Sequence, residues 1–330
     1  MKLASLKSAE RDGQLIIVDR ALTHYVPVPH IAPTLQAALD DWYHAEPLLR
    51  AAAAKLESTT PAQLQRFDAR ACAAPLPRAY QWLDGSAYLH HVELVRKARG
   101  AEMPASFLTD PLMYQGGSDA LLGACDDAAF ASEEHGIDLE GEVAIVTDDV
   151  PLGRTAARAA PHVKLIMLAN DWSLRNLIPA ELAKGFGFLQ SKPATAFSAV
   201  AVTPDELADA WREGKVHLPL VSHINGELLG RPDAGVDMNF SFHELIAHAA
   251  RTRSLGAGTI LGSGTVANRD PERGCSCLAE RRTLEVLKYG SARTPFLKFG
   301  DRVRIEMLAA SGASIFGALD QEVVCSRADH

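Results

Sequence analysis

Two glutamates separated by one glycine, Glu140-Gly141-Glu142, open the apolar run VAIV. On a strand, side chains two positions apart leave the same face, so this pair would stand side by side. In a pocket, two such carboxylates repel unless a cation or a shared proton lies between them. On a solvated strand face they need neither, and the motif alone leaves both readings open. A third carboxylate, Asp171, lies in Asn170-Asp171-Trp172-Ser173-Leu174-Arg175, directly after VKLIMLA. That puts it at the carboxyl end of an expected buried strand, where sites gather on a rigid scaffold. Arg175, four residues on, is placed to pair with Asp171 or to hold an anionic substrate. The same Asn-Asp pair also reads as a helix N-cap with no further role. In WLDGSAYLHHVELVRKARG, Asp84 and Ser86 read as caps of a helix that carries His90 and His91 early and Arg96, Lys97 and Arg99 in its last turn. The helix dipole favours that order. Asp84 and His91 are seven residues apart, about two helical turns, which would set them on one face. A histidine on a helix is usually a structural residue.

Other chemistries are excluded by spacing. The stretch LGAGTILGSGTV has glycines at G-x-G-x-x-x-G and is followed by the loop-like NRDPERG, so it does not fit a dinucleotide loop. There is no G-x-S-x-G elbow, P-loop or H-E-x-x-H pattern. The five cysteines include no C-x-x-C pair, and Cys275 and Cys277 are too close for a usual thiolate metal site; they read as reduced thiols.

The elements that must hold these residues read as a strand-rich α+β chain. Leu3 and Leu6, the Asp12-Gly13 turn and Leu15 to Val18 form an expected hairpin. A helix is expected from about Thr34 to Leu56, kinked at Pro47. Three prolines between Thr59 and Pro77 place a boundary near residue 75, giving a small N-terminal domain over 1–75 and a larger one over 76–330. Within the latter, strands are expected at 140–147, 163–168 and 197–202. A helix is expected to start at Thr203-Pro204-Asp205-Glu206, with Thr203 as N-cap and Glu206 at the third helical position. A hairpin turns at Asn225-Gly226, a capped helix runs over 241–252, and RVRIEM forms a late strand.

With 330 residues, 47% hydrophobic and 22% charged, the composition is that of a globular protein. The formal charge of −8, without any dense Lys/Arg run, excludes a nucleic-acid partner while permitting a cation site. The N-terminus lacks a signal-type apolar segment and no window is long and apolar enough for a membrane span, so a cytoplasmic location and no membrane partner are expected.

In order along residues 76–330, the segments IDLEGEVAIV, LANDWSLRN, FLQSKPATAFS, HINGELLG and LGSGTV resemble the fumarylacetoacetate hydrolase family. The resemblance implies that family's β-roll or barrel C-terminal fold with a small N-terminal domain. It further implies a Mg²⁺ or Ca²⁺ ion held by Asp84, Glu140, Glu142 and Asp171, an oxygen set suited to a hard cation. By the same resemblance His91 is the catalytic base, Glu280 orients it, and Lys192 assists catalysis. Tyr114, Arg175, Thr265 and Arg99 would contact substrate. Ile178 stands where the animal enzymes of the family carry a substrate-binding glutamine. The implied activity is hydrolysis of a C–C bond in a 1,3-diketo acid, foremost fumarylacetoacetate to fumarate and acetoacetate in aromatic amino acid (tyrosine) catabolism, in a homodimer. The alternatives are an acylpyruvate (fumarylpyruvate) hydrolase, an oxaloacetate-type decarboxylase of the same fold, or, in a different class, a non-catalytic metal-stabilised binding protein.

Overall fold

A computed structural model describes residues 1–98 and 102–326; Arg99 lies outside the described residues. The alternating pattern of the expected strands is realised in an eleven-stranded sheet. Its order is Gln65–Arg66, His24–Pro27, Gln14–Val18, Lys2–Leu6, Ala201–Val202, Val163–Asn170, Gly141–Thr147, Ile260–Gly262, Trp82–Gly85 and Met113–Gly116, with Ala196–Phe197 paired beside Val163–Asn170. The first hairpin joins this sheet directly, Lys2 opposite Val202 and Leu3 opposite Ala201. Residues near the N-terminus thus extend the same sheet that holds the later strands.

Val163–Asn170 and Gly141–Thr147 are apolar on both faces because both faces are covered. Val143, Ile145, Ile166 and Leu168 enter one core with Val303, Ile305, Leu319 and Val323 of a second, five-stranded sheet. Ala144, Val146, Leu165 and Met167 enter a second core with Leu35, Leu39, Trp42 and Leu49 of the N-terminal helices. The five-stranded sheet orders Glu227–Gly230, Leu220–Ile224, Arg302–Met307, Leu319–Cys325 and Ala128–Phe130. Its hairpin turns at Asn225 and Gly226, with φ of 52° and 83°, the left-handed pair an Asn-Gly turn supplies.

Two local expectations are corrected. The N-terminal helix breaks at Asp41 (φ −132°, ψ 47°) into Leu35–Asp40 and Trp42–Ser58, and Pro47 sits inside the second piece. Thr203 precedes a short 3-10 segment, Pro204–Ala210, without capping it. Its hydroxyl and the Glu206 carboxylate instead accept from the Met1 amino group at 2.7 and 2.9 Å. A charged donor offers a stronger bond than a backbone amide, and it takes both acceptors. The helix Phe242–Ala249 does form the capping box read from Ser241 and Glu244.

Candidate metal centre and its histidine

Strand register brings the carboxylates together. Val163–Asn170 pairs antiparallel with Gly141–Thr147, Ala169 opposite Glu142. The Asp171 N–H donates to the Glu140 carbonyl at 3.0 Å, so those two residues also face each other. On the other side, Gly262 lies opposite both Ala144 and Asp84. Period-two alternation then sends Asp84, Glu140, Glu142 and Asp171 to one face, the face that carries Trp82, Ala144 and Met167. One carboxylate oxygen from each lies within 4.8 Å of the others, and all four residues are buried. Gly262 leaves the room for this: a Cβ there would stand 2.5 Å from Asp84 Oδ1 and 2.9 Å from Glu142 Oε2. The glycine stretch that failed as a dinucleotide loop is the strand between the acidic ones.

The surroundings divide the four into two kinds. Lys192 Nζ donates to Glu140 Oε2 and Asp171 Oδ2, both at 2.6 Å, and an Arg175 guanidinium nitrogen lies 2.7 Å from Glu140 Oε1. Burial alone would raise the Glu140 carboxyl, but Lys192 and Arg175 outweigh it and hold it at about 2. Asp171 also accepts from Tyr114 Oη at 2.6 Å and from Thr195 Oγ1 at 2.7 Å. Asp84 accepts from the Gly264 N–H at 3.0 Å, yet burial and the charge of Asp171 push it up to about 8. Glu142 is raised well above the ordinary carboxylate range by burial and by Asp84 and Asp171. Neither Glu142 oxygen receives a hydrogen bond among the described residues. Buried acceptors without donors are rare, and two carboxylates this close repel by roughly 3 kcal/mol even at an effective dielectric near 20. An all-oxygen donor set with two orphaned acceptors fits a hard divalent cation, which would satisfy Glu142 and relieve the repulsion.

Beside the cluster, His91 Nδ1 lies 2.8 Å from Glu280 Oε2. The two come from different helices, Leu89–Ala98 and Leu278–Tyr289, packed against each other. Glu280 is almost fully buried and the His91 side chain is 17% exposed, so one ring edge remains reachable. Two expectations about the residues nearby change. Asp84 does not cap the His91 helix; it lies on Trp82–Gly85, and the Leu89 N–H is met by Asn239 Oδ1 at 3.0 Å. Arg175 does not pair with Asp171, because Ser173–Leu174 is a strand paired with Ile137–Asp138, not a helical turn. Its Nε therefore donates to Asp138 Oδ2 at 2.8 Å.

Among the remaining candidates, Tyr114 sits opposite Asp84 in register, its ring 5.3 Å edge-on from Phe188. Burial and the adjacent carboxylates keep its hydroxyl protonated. Thr265 is buried directly after Gly264, and Ile178 is buried at the start of Ile178–Leu182. Sequence reasoning missed Asp138, Thr195 and Gly262. The acidic period Asp138-x-Glu140-x-Glu142 was a visible signal for the first; Thr195 makes only a long-range contact that no spacing announces.

Four buried carboxylates at the junction of central strands, with an imidazole–carboxylate pair beside them, define a sheet-rich α+β protein built round an acidic cluster that could hold a metal ion. The chain belongs to the fumarylacetoacetate hydrolase family, a group of hydrolases and isomerases. The model described as fumarylacetoacetate (FAA) hydrolase C-terminal matches residues 81–324, and fumarylacetoacetase N-terminal domain 2 matches residues 1–78. Among solved structures, maleylpyruvate hydrolase from Sphingobium sp. SYK-6, in complex with manganese(II) ion and pyruvate, superposes with a TM-score of 0.66 at 15% identity, covering 99% of this chain and 100% of that one. Fumarylacetoacetate hydrolase from psychrophilic Exiguobacterium antarcticum gives 0.66 at 17% identity with the same coverage. An uncharacterized protein of Archaeoglobus fulgidus is 22% identical over 224 residues, 67% of this chain and 80% of that protein. Among the described residues no helix is long and apolar enough to cross a membrane.

Proposed function

We propose that the protein is a metal-dependent hydrolase that cleaves a C–C bond in a 1,3-diketo acid, with fumarylacetoacetate as the foremost substrate. The observation that carries this reading is the His91–Glu280 contact at 2.8 Å beside the four-carboxylate cluster. Hydrolysis needs a base for water, whereas a cation-stabilised binding protein has no use for one. In this reading Asp84, Glu140, Glu142 and Asp171 hold Mg²⁺ or Ca²⁺, which when bound supplies Lewis-acid polarisation of the substrate's keto oxygens.

The chain's own groups do the rest. With Nδ1–H donated to Glu280, His91 presents an unprotonated Nε2 that takes a proton from the attacking water. Water's oxygen bonds to the acyl carbon, the C–C bond breaks, and its electron pair leaves as an enolate that is then protonated. Lys192, kept charged by Glu140 and Asp171 against the cost of its burial, stabilises the developing negative oxygen. Tyr114, Arg175 and Thr265 contact the substrate. A second reading is an acylpyruvate hydrolase; Ile178, in place of the glutamine of the animal enzymes, bears on which diketo acid is bound and not on the type of reaction.

Steady-state assays with Mg²⁺ on fumarylacetoacetate, fumarylpyruvate and oxaloacetate test both. Turnover of the first supports the main reading, and turnover of the second alone supports the alternative. Loss of carbon dioxide from oxaloacetate alone points to decarboxylation. No product from any of them leaves the metal-stabilised binding protein.

A further inference from the structure

Asp138 is fully buried, two residues before Glu140, and no step above uses it. Its carboxylate holds three groups at once. Oδ1 accepts from the Leu278 N–H at 2.7 Å, and Oδ2 accepts from the Ala279 N–H at 2.9 Å and from Arg175 Nε at 2.8 Å. Leu278 and Ala279 open the helix whose third residue is Glu280. The first amides of a helix have no partner within it, and a carboxylate there is also favoured by the helix dipole. The residue preceding this helix, Cys277, offers only a thiol sulfur, 3.4 Å from the Glu280 N–H, and sulfur is a weak acceptor. Asp138 therefore fixes where the helix begins, and through that where Glu280 meets His91. Its other arm restrains Arg175, which reaches Glu140 of the cluster. The strand that presents Asp138, Ile137–Asp138, is paired with Ser173–Leu174, next to Asp171.

We propose that Asp138 is a positioning residue that locks the His91–Glu280 pair and the Arg175–Glu140 contact into one frame around the carboxylate cluster. A simple helix cap would cost stability, about 1 kcal/mol when removed, and leave the chemistry of folded molecules alone. A positioning residue changes kcat and cation affinity as well. The catalytic half of this inference rests on the reaction given under Proposed function; the cation half rests only on that reading's carboxylate cluster.

The test is Asp138→Asn in the full chain. It keeps the volume and one acceptor, removes the charge, and turns an amide toward groups that can only donate. In molecules shown folded by circular dichroism and assayed at saturating cation and substrate, kcat is expected to fall at least about tenfold. Combined with Glu280→Gln, the losses are expected not to multiply, because both act on His91. By calorimetry, Mn²⁺ affinity is expected to fall about tenfold, since an Arg175 freed from Asp138 puts its whole charge on Glu140. Asp138→Glu restores the charge, so it should recover Mn²⁺ affinity while kcat stays low, its extra methylene shifting the helix start. It also serves in place of Asp138→Asn if that variant does not fold, with depressed kcat as the supporting result.

Unchanged kcat in either folded variant, losses that multiply in the double variant, or unchanged Mn²⁺ affinity in Asp138→Asn would overturn the inference. If the wild type turns over no diketo acid, the proposed function falls. The Mn²⁺ titration then still decides for Asp138, weaker binding supporting it and equal binding overturning it.

Discussion

Each carboxylate of the cluster is defined by its neighbours. Glu140 and Asp171 both accept from Lys192 Nζ at 2.6 Å, while neither Glu142 oxygen has a donor among the described residues. That asymmetry makes Glu142 the residue most dependent on a cation. Glu142→Gln should therefore weaken Mg²⁺ binding by at least about tenfold, read by calorimetry; an unchanged affinity would remove it from the ligand set. The sequence made this pair visible because period-two spacing needs only a strand, and the strand formed. Asp84 and His91 were instead connected by helical spacing, and the helix does not extend back to Asp84. Asp84 joins the other carboxylates through register between strands remote in sequence, which no local spacing encodes. Arg175 was misplaced for a related reason: four-residue spacing implies a helical pair, but a two-residue strand turned the side chain toward Asp138.

Among the elements, the strand Ile260–Gly262 controls how near the acidic strands come. Gly262→Ala places its methyl 2.4 Å from the Trp82 ring and 2.5 Å from Asp84 Oδ1. The variant should lose about 1–3 kcal/mol of stability, measured by urea unfolding, and bind Mg²⁺ more weakly; a variant as stable and as tight as wild type would show that the strands have slack. The segment after Ile178–Leu182 gives a second prediction. Burial would raise the Glu181 carboxyl, but hydrogen bonds from the Ser191 hydroxyl and the Leu189, Gln190 and Ser191 amides hold it down at about 2. A depressed folded-state value means this stabilisation is full above the ordinary carboxylate range and is lost as pH falls toward about 2. The stability advantage of wild type over Glu181→Gln should thus shrink through that acid window. A difference independent of pH would contradict the assignment. Alternation and turn chemistry disclosed the first hairpin, the long strands Gly141–Thr147 and Val163–Asn170, the Asn225-Gly226 hairpin and Arg302–Met307, but not Trp82–Gly85 or Ile260–Gly262. The helix break at Asp41 and the capture of Thr203 by the Met1 amine were hidden because one is a local backbone choice and the other joins chain segments far apart.

For the molecule as a whole, the four carboxylates are buried in the main sheet, so a cation held there would be tied to folding. A cation bound only by the folded state should stabilise it by about 2.7 kcal/mol at a hundredfold excess over Kd. Tm should accordingly rise with Mg²⁺ and fall with a chelator, and identical melting curves in both would separate the cluster from any cation. The family relationship sets the fold and its class of chemistry, while the proposed reaction depends on the base standing beside the cation centre. The most direct measurement is loss of diketone absorbance with fumarylacetoacetate and Mg²⁺, comparing wild type with His91→Ala and checking Mg²⁺ binding in both. The predicted result is turnover by wild type that falls about 10²–10⁴-fold or more in the variant, with Mg²⁺ affinity retained. Full activity in His91→Ala would contradict the account.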